Sequence, residues 1–126
     1  MKLTCFFAAI LTLSFSSAAI SFADENHEII EKVMKEGLKG DDSPLAKILE
    51  ESATEEEVTS LASLIKTMEG TEAPVGDQDA YDDKVAELIA AIDAIAGGDM
   101  SGPAIDRLDS ASNCKGCHSD HKPKKD

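Results

Sequence analysis

Apolar residues recur at helical spacing throughout residues 24–126, and this periodicity restricts the fold more than any other feature of the chain. No stretch alternates apolar and polar residues as a half-buried strand would, and clusters of β-branched residues are absent. The sequence therefore predicts an all-α domain. Its expected helices cover about 25–39, a short segment from Ser43-Pro44, the segment from Thr54 to Gly70, about 79–96, and a last helix from Ser101-Gly102-Pro103 into the cysteine segment.

Local signals fix several of these helix ends. Ser43-Pro44 combines an N-cap residue with proline at the first helical position. Thr54 and Glu57 have the spacing of a capping box. Four main helices joined by mostly short connections predict an antiparallel four-helix bundle, because that arrangement buries four apolar stripes against one another.

Residues 1–23 have the pattern of a cleaved secretory signal peptide. Lys2 is followed by an uncharged apolar run from Leu3 to Ile20, and Ser21 and Ala23 are small residues three and one before a cut after Ala23. The alternative is an uncleaved membrane anchor, for which the run is at the short end. We expect residues 24–126 to be exported, to the periplasm or elsewhere, with no stable membrane insertion after cleavage.

The exported segment has few aromatic residues and many acidic ones. All four Phe lie in residues 1–23, which leaves Tyr81 as its single aromatic residue. Such a domain has either a thin aliphatic core or a centre filled by a group that is not protein. Its 11 basic and 25 acidic residues give a formal charge of −14. This charge argues against nucleic-acid binding and favours basic partners, unless it serves solubility alone.

The chemistry-bearing motif is Cys114-Lys115-Gly116-Cys117-His118. C-x-x-C-H is the signature of c-type haem attachment. Residues three and four apart share a helix face, so Cys114 and Cys117 can both form thioethers at one edge of a porphyrin while His118 binds the iron. The motif predicts one covalently bound haem c.

Other interpretations of these cysteines fit less well. A thioredoxin-like redox pair needs a strand before the motif, and a helix is predicted there. Zinc could bind Cys114, Cys117, His118 and His121, but structural zinc sites usually draw ligands from two separated segments. A disulfide across so short a loop would constrain little, and a buried cysteine pair is a further alternative. Export and the scarcity of aromatic residues both favour haem, which would supply apolar volume.

A helical bundle with C-x-x-C-H near its C-terminus resembles the class II cytochromes c, the group of cytochrome c′ and cytochrome c556. The resemblance covers the layout of residues 24–126, whereas only the haem motif is specific in residues. It implies an exported one-electron carrier that is not an enzyme, and it leaves homodimer formation open. It also implies thioethers at Cys114 and Cys117, with His118 as the proximal ligand.

Two positions depart from the class pattern. The class usually has an aromatic residue at the position of His121, followed by a basic residue, which here is Lys122. It also tends to have arginine at the position of Ile30. His121 is expected near the haem edge without binding iron. Contacts to the haem propionates are therefore open, with four basic candidates. They are Lys32, Lys35, Lys122 and Arg107.

The residue on the other side of the iron decides the function. In the class it comes from the first helix, as a methionine ligand in cytochrome c556 or as an apolar residue that leaves the iron open in cytochrome c′. Met34 falls at that place, with Met68, Met100 and His27 as alternatives. Ligation by Met34 would favour electron transfer with a redox protein partner. An open iron would suit NO or CO binding or sensing, and a haem-bearing module of a larger complex is a third alternative.

Overall fold

The computed structural model describes residues 22–124. These residues form helices and connecting loops without any strand, which confirms the all-α prediction. Most of the predicted signal peptide lies outside the described residues. Six α-helices follow one another, and a π-helical turn over Met34–Leu38 (the π-turn) directly continues the first of them. The helices are α1 (Phe22–Val33), α2 (Pro44–Leu49), α3 (Glu55–Lys66), α4 (Gln78–Ala96), α5 (Gly102–Ala111) and α6 (Cys114–His121).

The predicted caps are present. The Ser43 hydroxyl accepts a hydrogen bond from the Ala46 N–H (3.1 Å) at the start of α2. At the start of α3, the Glu57 N–H donates to Thr54 Oγ1 (3.2 Å) and the Thr54 N–H donates to Glu57 Oε2 (2.9 Å). Each cap satisfies backbone donors that the first helical turn leaves without a partner.

The first helix is not a uniform α-helix over 25–39. It changes to the π-turn at Met34, where the Lys39 N–H donates to the Met34 carbonyl oxygen (2.9 Å). Gly37 is buried in this turn, and a Cβ there would lie 2.8 Å from Leu61 Cδ1 and 3.1 Å from Leu64 Cδ2. The absence of a side chain at Gly37 therefore lets the π-turn approach α3 closely.

The last predicted helix is two helices. α5 ends at Ala111, and Asn113 caps α6 by accepting hydrogen bonds from the Lys115 N–H (3.0 Å) and the Gly116 N–H (3.3 Å). Asparagine competes well for such donors, which favours a new helix start over continuation. The motif therefore begins a helix of its own.

The core lies between α3, α4 and α5, with α2 and the π-turn closing one side and α6 packed on α4. Its side chains are aliphatic except for Met68 and Tyr81. The most deeply buried large side chains are Val33, Ile48, Leu61, Ile65, Tyr81, Ile92 and Leu108.

α1 contributes little to this core. Val33 is fully buried at its end and Ile30 is half-buried against the core, but the extensive contacts of α1 are with the π-turn, which continues the same helix. Within residues 22–124, no helix combines the length and the apolar character that crossing a bilayer requires.

Candidate haem-attachment site

The structure places Cys114, Cys117 and His118 together on α6. Cys114 is the first residue of this helix because the Asn113 cap precedes it. Cys114 and His118 are exposed, while Cys117 is half-buried. Their spacing of three and four residues puts all three on one side of the helix. Two thiols and an imidazole therefore share one accessible surface.

A lysine from α4 holds the middle of α6. Lys84 Nζ donates to the Gly116 carbonyl oxygen and to Asp120 Oδ2 (3.0 Å). The Lys84 ammonium lowers the pKa of the Asp120 carboxyl by this hydrogen bond and by its charge. This role of Lys84 was not predicted from the sequence, although Lys84 is the only basic residue of α4, which has five acidic residues.

The C-terminal turn of α6 is buried through His121. Its ring meets the Tyr81 ring edge to face, with centroids 5.4 Å apart and planes at 74°. Its Nδ1 lies 3.0 Å from the Val75 carbonyl oxygen. A carbonyl can only accept, so Nδ1 carries the proton in this contact.

Tyr81 is itself fixed by a hydrogen-bonded pair. The Thr71 hydroxyl donates to the Met68 carbonyl oxygen (2.6 Å), so the Tyr81 hydroxyl donates to Thr71 Oγ1 (2.8 Å). Burial raises the pKa of Tyr81, and the hydrogen bond between Tyr81 and Thr71 partly offsets this effect. The ring against which His121 packs is therefore a fixed, uncharged surface.

Cys117 borders a groove of about 300 Å³ between α4, α5 and the start of α6. Burial raises the pKa of the Cys117 thiol, and the nearby Lys84 charge opposes that effect. The groove wall includes Asp83, Lys84, Glu87, Ala111 and Asn113.

Met34 lies in a different part of the molecule from the motif. It is half-buried in the π-turn and touches the hydrophobic core. The π-turn packs against α2 and α3, whereas α6 packs against α4. The π-turn and α6 are therefore not packed against each other. Ligation by Met34 stays a prediction.

The alternative distal ligands have distinct surroundings. Met68 is buried in the core at 3% exposure, Met100 is 40% exposed, and His27 is exposed with Nε2 3.9 Å from Glu31 Oε2. The four candidate zinc ligands do not converge on one point in the described residues, where no three His, Cys, Asp or Glu side chains form a metal-binding group.

Among the basic residues considered for the propionates, two have carboxylate partners. Arg107 donates to Glu87 through Nε (2.6 Å) and Nη2 (3.0 Å), and Lys35 pairs with Glu31. Lys32 and Lys122 are exposed.

No protein-family model, curated protein or solved structure matches this chain. Its function is therefore inferred from the residues of the site and their geometry.

Proposed function

We propose that residues 24–126 form an exported monohaem c-type cytochrome of the class II kind, which carries one electron at a time between redox protein partners. The observation that supports this most is the placement of the complete C-x-x-C-H motif on one capped helix with Cys114 and His118 exposed. In this proposal the domain is an antiparallel four-helix bundle, formed by α1 with the π-turn, α3, α4 and α5, and α6 is its C-terminal attachment helix.

The residues present fit a covalently held haem. Cys114 and Cys117 provide two thiols one helical turn apart, and each would add its S–H across one vinyl group to form a thioether. His118 lies four residues after Cys114 on the same side of α6, where its imidazole would bind the iron. When bound, the haem supplies a one-electron Fe(III)/Fe(II) couple.

The protein would hold the helix to which this haem is attached. The Asn113 cap and the Lys84 contacts to Gly116 and Asp120 hold the backbone that carries both thiols. A fixed ligand-bearing helix would keep structural reorganisation small during electron transfer at a bound haem.

In the same proposal Met34 provides the sixth ligand. Its thioether is soft, neutral and flexible, so it could bind iron without burying a charge. A His and Met ligand pair raises the reduction potential and suits electron transfer.

One observation supports a second candidate function, the binding or sensing of NO or CO at an open iron. The π-turn that contains Met34 packs against α2 and α3, and α6 packs elsewhere. If Met34 keeps that place, it would not bind the iron, and the sixth position would be open unless another residue fills it. An optical spectrum of the reduced protein distinguishes the two candidates, because six-coordinate low-spin haem gives sharp visible bands.

Covalent attachment is tested by a double variant, Cys114→Ala with Cys117→Ala. The unaltered exported protein should retain haem-linked peroxidase stain on a denaturing gel, and the double variant should lose it. Lys115→Ala is the matched control, since this exposed residue lies inside the motif without a role in attachment. Stain that persists in the double variant would refute the attachment.

A further inference from the structure

Besides the bonds from Lys84 to Gly116 and Asp120, α6 is joined to the rest of the domain through one buried side chain. His121 is only 3% exposed, and it is the one buried residue of a helix whose other side chains are exposed or half-buried. A histidine in this position is not explained by the proposed ligation, which uses His118.

Two contacts of different kinds hold the His121 ring. Tyr81 of α4 provides an edge-to-face aromatic contact, and the Val75 carbonyl oxygen accepts the Nδ1–H. The other nitrogen, Nε2, is buried without a hydrogen-bond partner in the described part of the chain. A phenylalanine could fill the same volume against Tyr81, so the bond to Val75 is what the imidazole adds.

The loop that contributes Val75 is shaped to the end of α6. Gly76 has φ +85°, and a Cβ there would lie 2.5 Å from the Asp120 carbonyl oxygen and 3.0 Å from His121 Nδ1. Any side chain at this position would separate the loop from the helix. Gly70 has a similar φ of +79° with no atom within 4 Å of its Cβ position, so it shares the backbone conformation without the close contact.

We infer that His121 is a positioning residue, which fixes α6 between Tyr81 and the Val75-Gly76 loop so that Cys114, Cys117 and His118 are presented on an immobile helix. The role in haem attachment rests on the proposed function. The fixing of α6 does not, because the contacts of His121 are made by the chain alone.

The test uses the full-length chain and four single variants. Gly76→Ala pushes the loop from α6, and Gly70→Ala is its control for backbone strain. His121→Ala removes both ring contacts, whereas His121→Asn keeps an N–H donor near the position of Nδ1. Two quantities are measured, the amide hydrogen exchange of segment 114–121 and the fraction of purified chain that carries haem. Far-UV circular dichroism checks that each variant retains its helices.

We expect Gly76→Ala and His121→Ala to accelerate exchange in this segment by about tenfold, because α6 then opens without the rest of the domain. Both should also lower the haem-carrying fraction. Gly70→Ala should leave segment 114–121 unchanged, and His121→Asn should restore part of the protection that His121→Ala loses.

Unchanged exchange in both Gly76→Ala and His121→Ala would overturn the inference. So would a change of iron spin state in haem-bearing His121→Ala, since that would make His121 a ligand. If the unaltered chain carries no haem, the proposed function fails, while the exchange rates still decide whether His121 fixes α6.

Discussion

At the scale of single residues, Met34 decides between the two candidate functions. The side chain is half-buried and already touches the core, so it has an ordinary packing role as well as a proposed chemical one. Methionine fills irregular apolar space and also offers a soft sulfur ligand. A substitution that keeps the packing and removes the sulfur separates the two roles.

Met34→Leu makes that separation. We expect the haem to stay attached, the reduced iron to become high-spin, and CO to bind much faster, because leucine has no ligand atom. The reduction potential should fall by on the order of 100 mV, within the roughly 0.8 V range that axial ligands span. Optical spectra, CO mixing and a redox titration measure these three changes.

Met100→Leu is the control, as this methionine is 40% exposed in a connection outside the core. It should change none of the three readouts. A low-spin spectrum that survives Met34→Leu would contradict the ligation and direct attention to Met68 or His27.

At the scale of elements, the capped start of α6 determines how the motif is presented. Asn113 satisfies two N–H groups in the first turn, and those groups belong to Lys115 and Gly116 between the two cysteines. α6 has only eight residues, so few hydrogen bonds within it can compensate for a lost cap.

Asn113→Ala should therefore loosen the start of α6. We expect a loss of about 1 kcal/mol in local stability, or roughly fivefold faster exchange of the Lys115 and Gly116 amides. Asn113→Asp should restore the protection, because aspartate caps equally well. Thr54→Ala, which removes the cap of α3, should lower the melting temperature without accelerating exchange at those two amides. Equal exchange in Asn113→Ala and the unaltered chain would show that the cap does not hold the motif.

The elements that sequence analysis predicted correctly are those with local causes. The helix starts at Ser43-Pro44 and at Thr54 with Glu57 depend on contacts within one helical turn. They therefore form without contacts from distant residues. The break before α6 also has a local cause, and Asn113 was a signal that could have revealed it. The π-turn could not be foreseen in this way, because it accompanies the close approach of Gly37 to Leu61 and Leu64 of another helix.

The same distinction between local and distant causes applies to the candidate site. The grouping of Cys114, Cys117 and His118 follows from spacing within one helix. The burial of His121 and the bonds from Lys84 depend on how α4 and the loop before it pack on α6, and no periodicity in α6 encodes that packing.

At the scale of the whole molecule, charge is distributed unevenly. Residues 24–112 contain seven basic and 23 acidic residues, whereas residues 113–126 contain four basic and two acidic ones. The excess negative charge that favours a basic partner therefore belongs to the body of the domain. In the proposed function, a redox partner that approaches α6 would meet exposed Lys115, Lys122 and Lys124 as well as that body.

The central claim is that the mature chain contains one covalently bound haem. The intact mass of the exported, purified protein tests this claim most directly. Under denaturing conditions we predict a single species with the mass of residues 24–126 plus one haem, and the Cys114→Ala, Cys117→Ala variant should show the polypeptide mass alone. A mass equal to the bare polypeptide, from cells that attach haem to a known c-type cytochrome, would contradict the account.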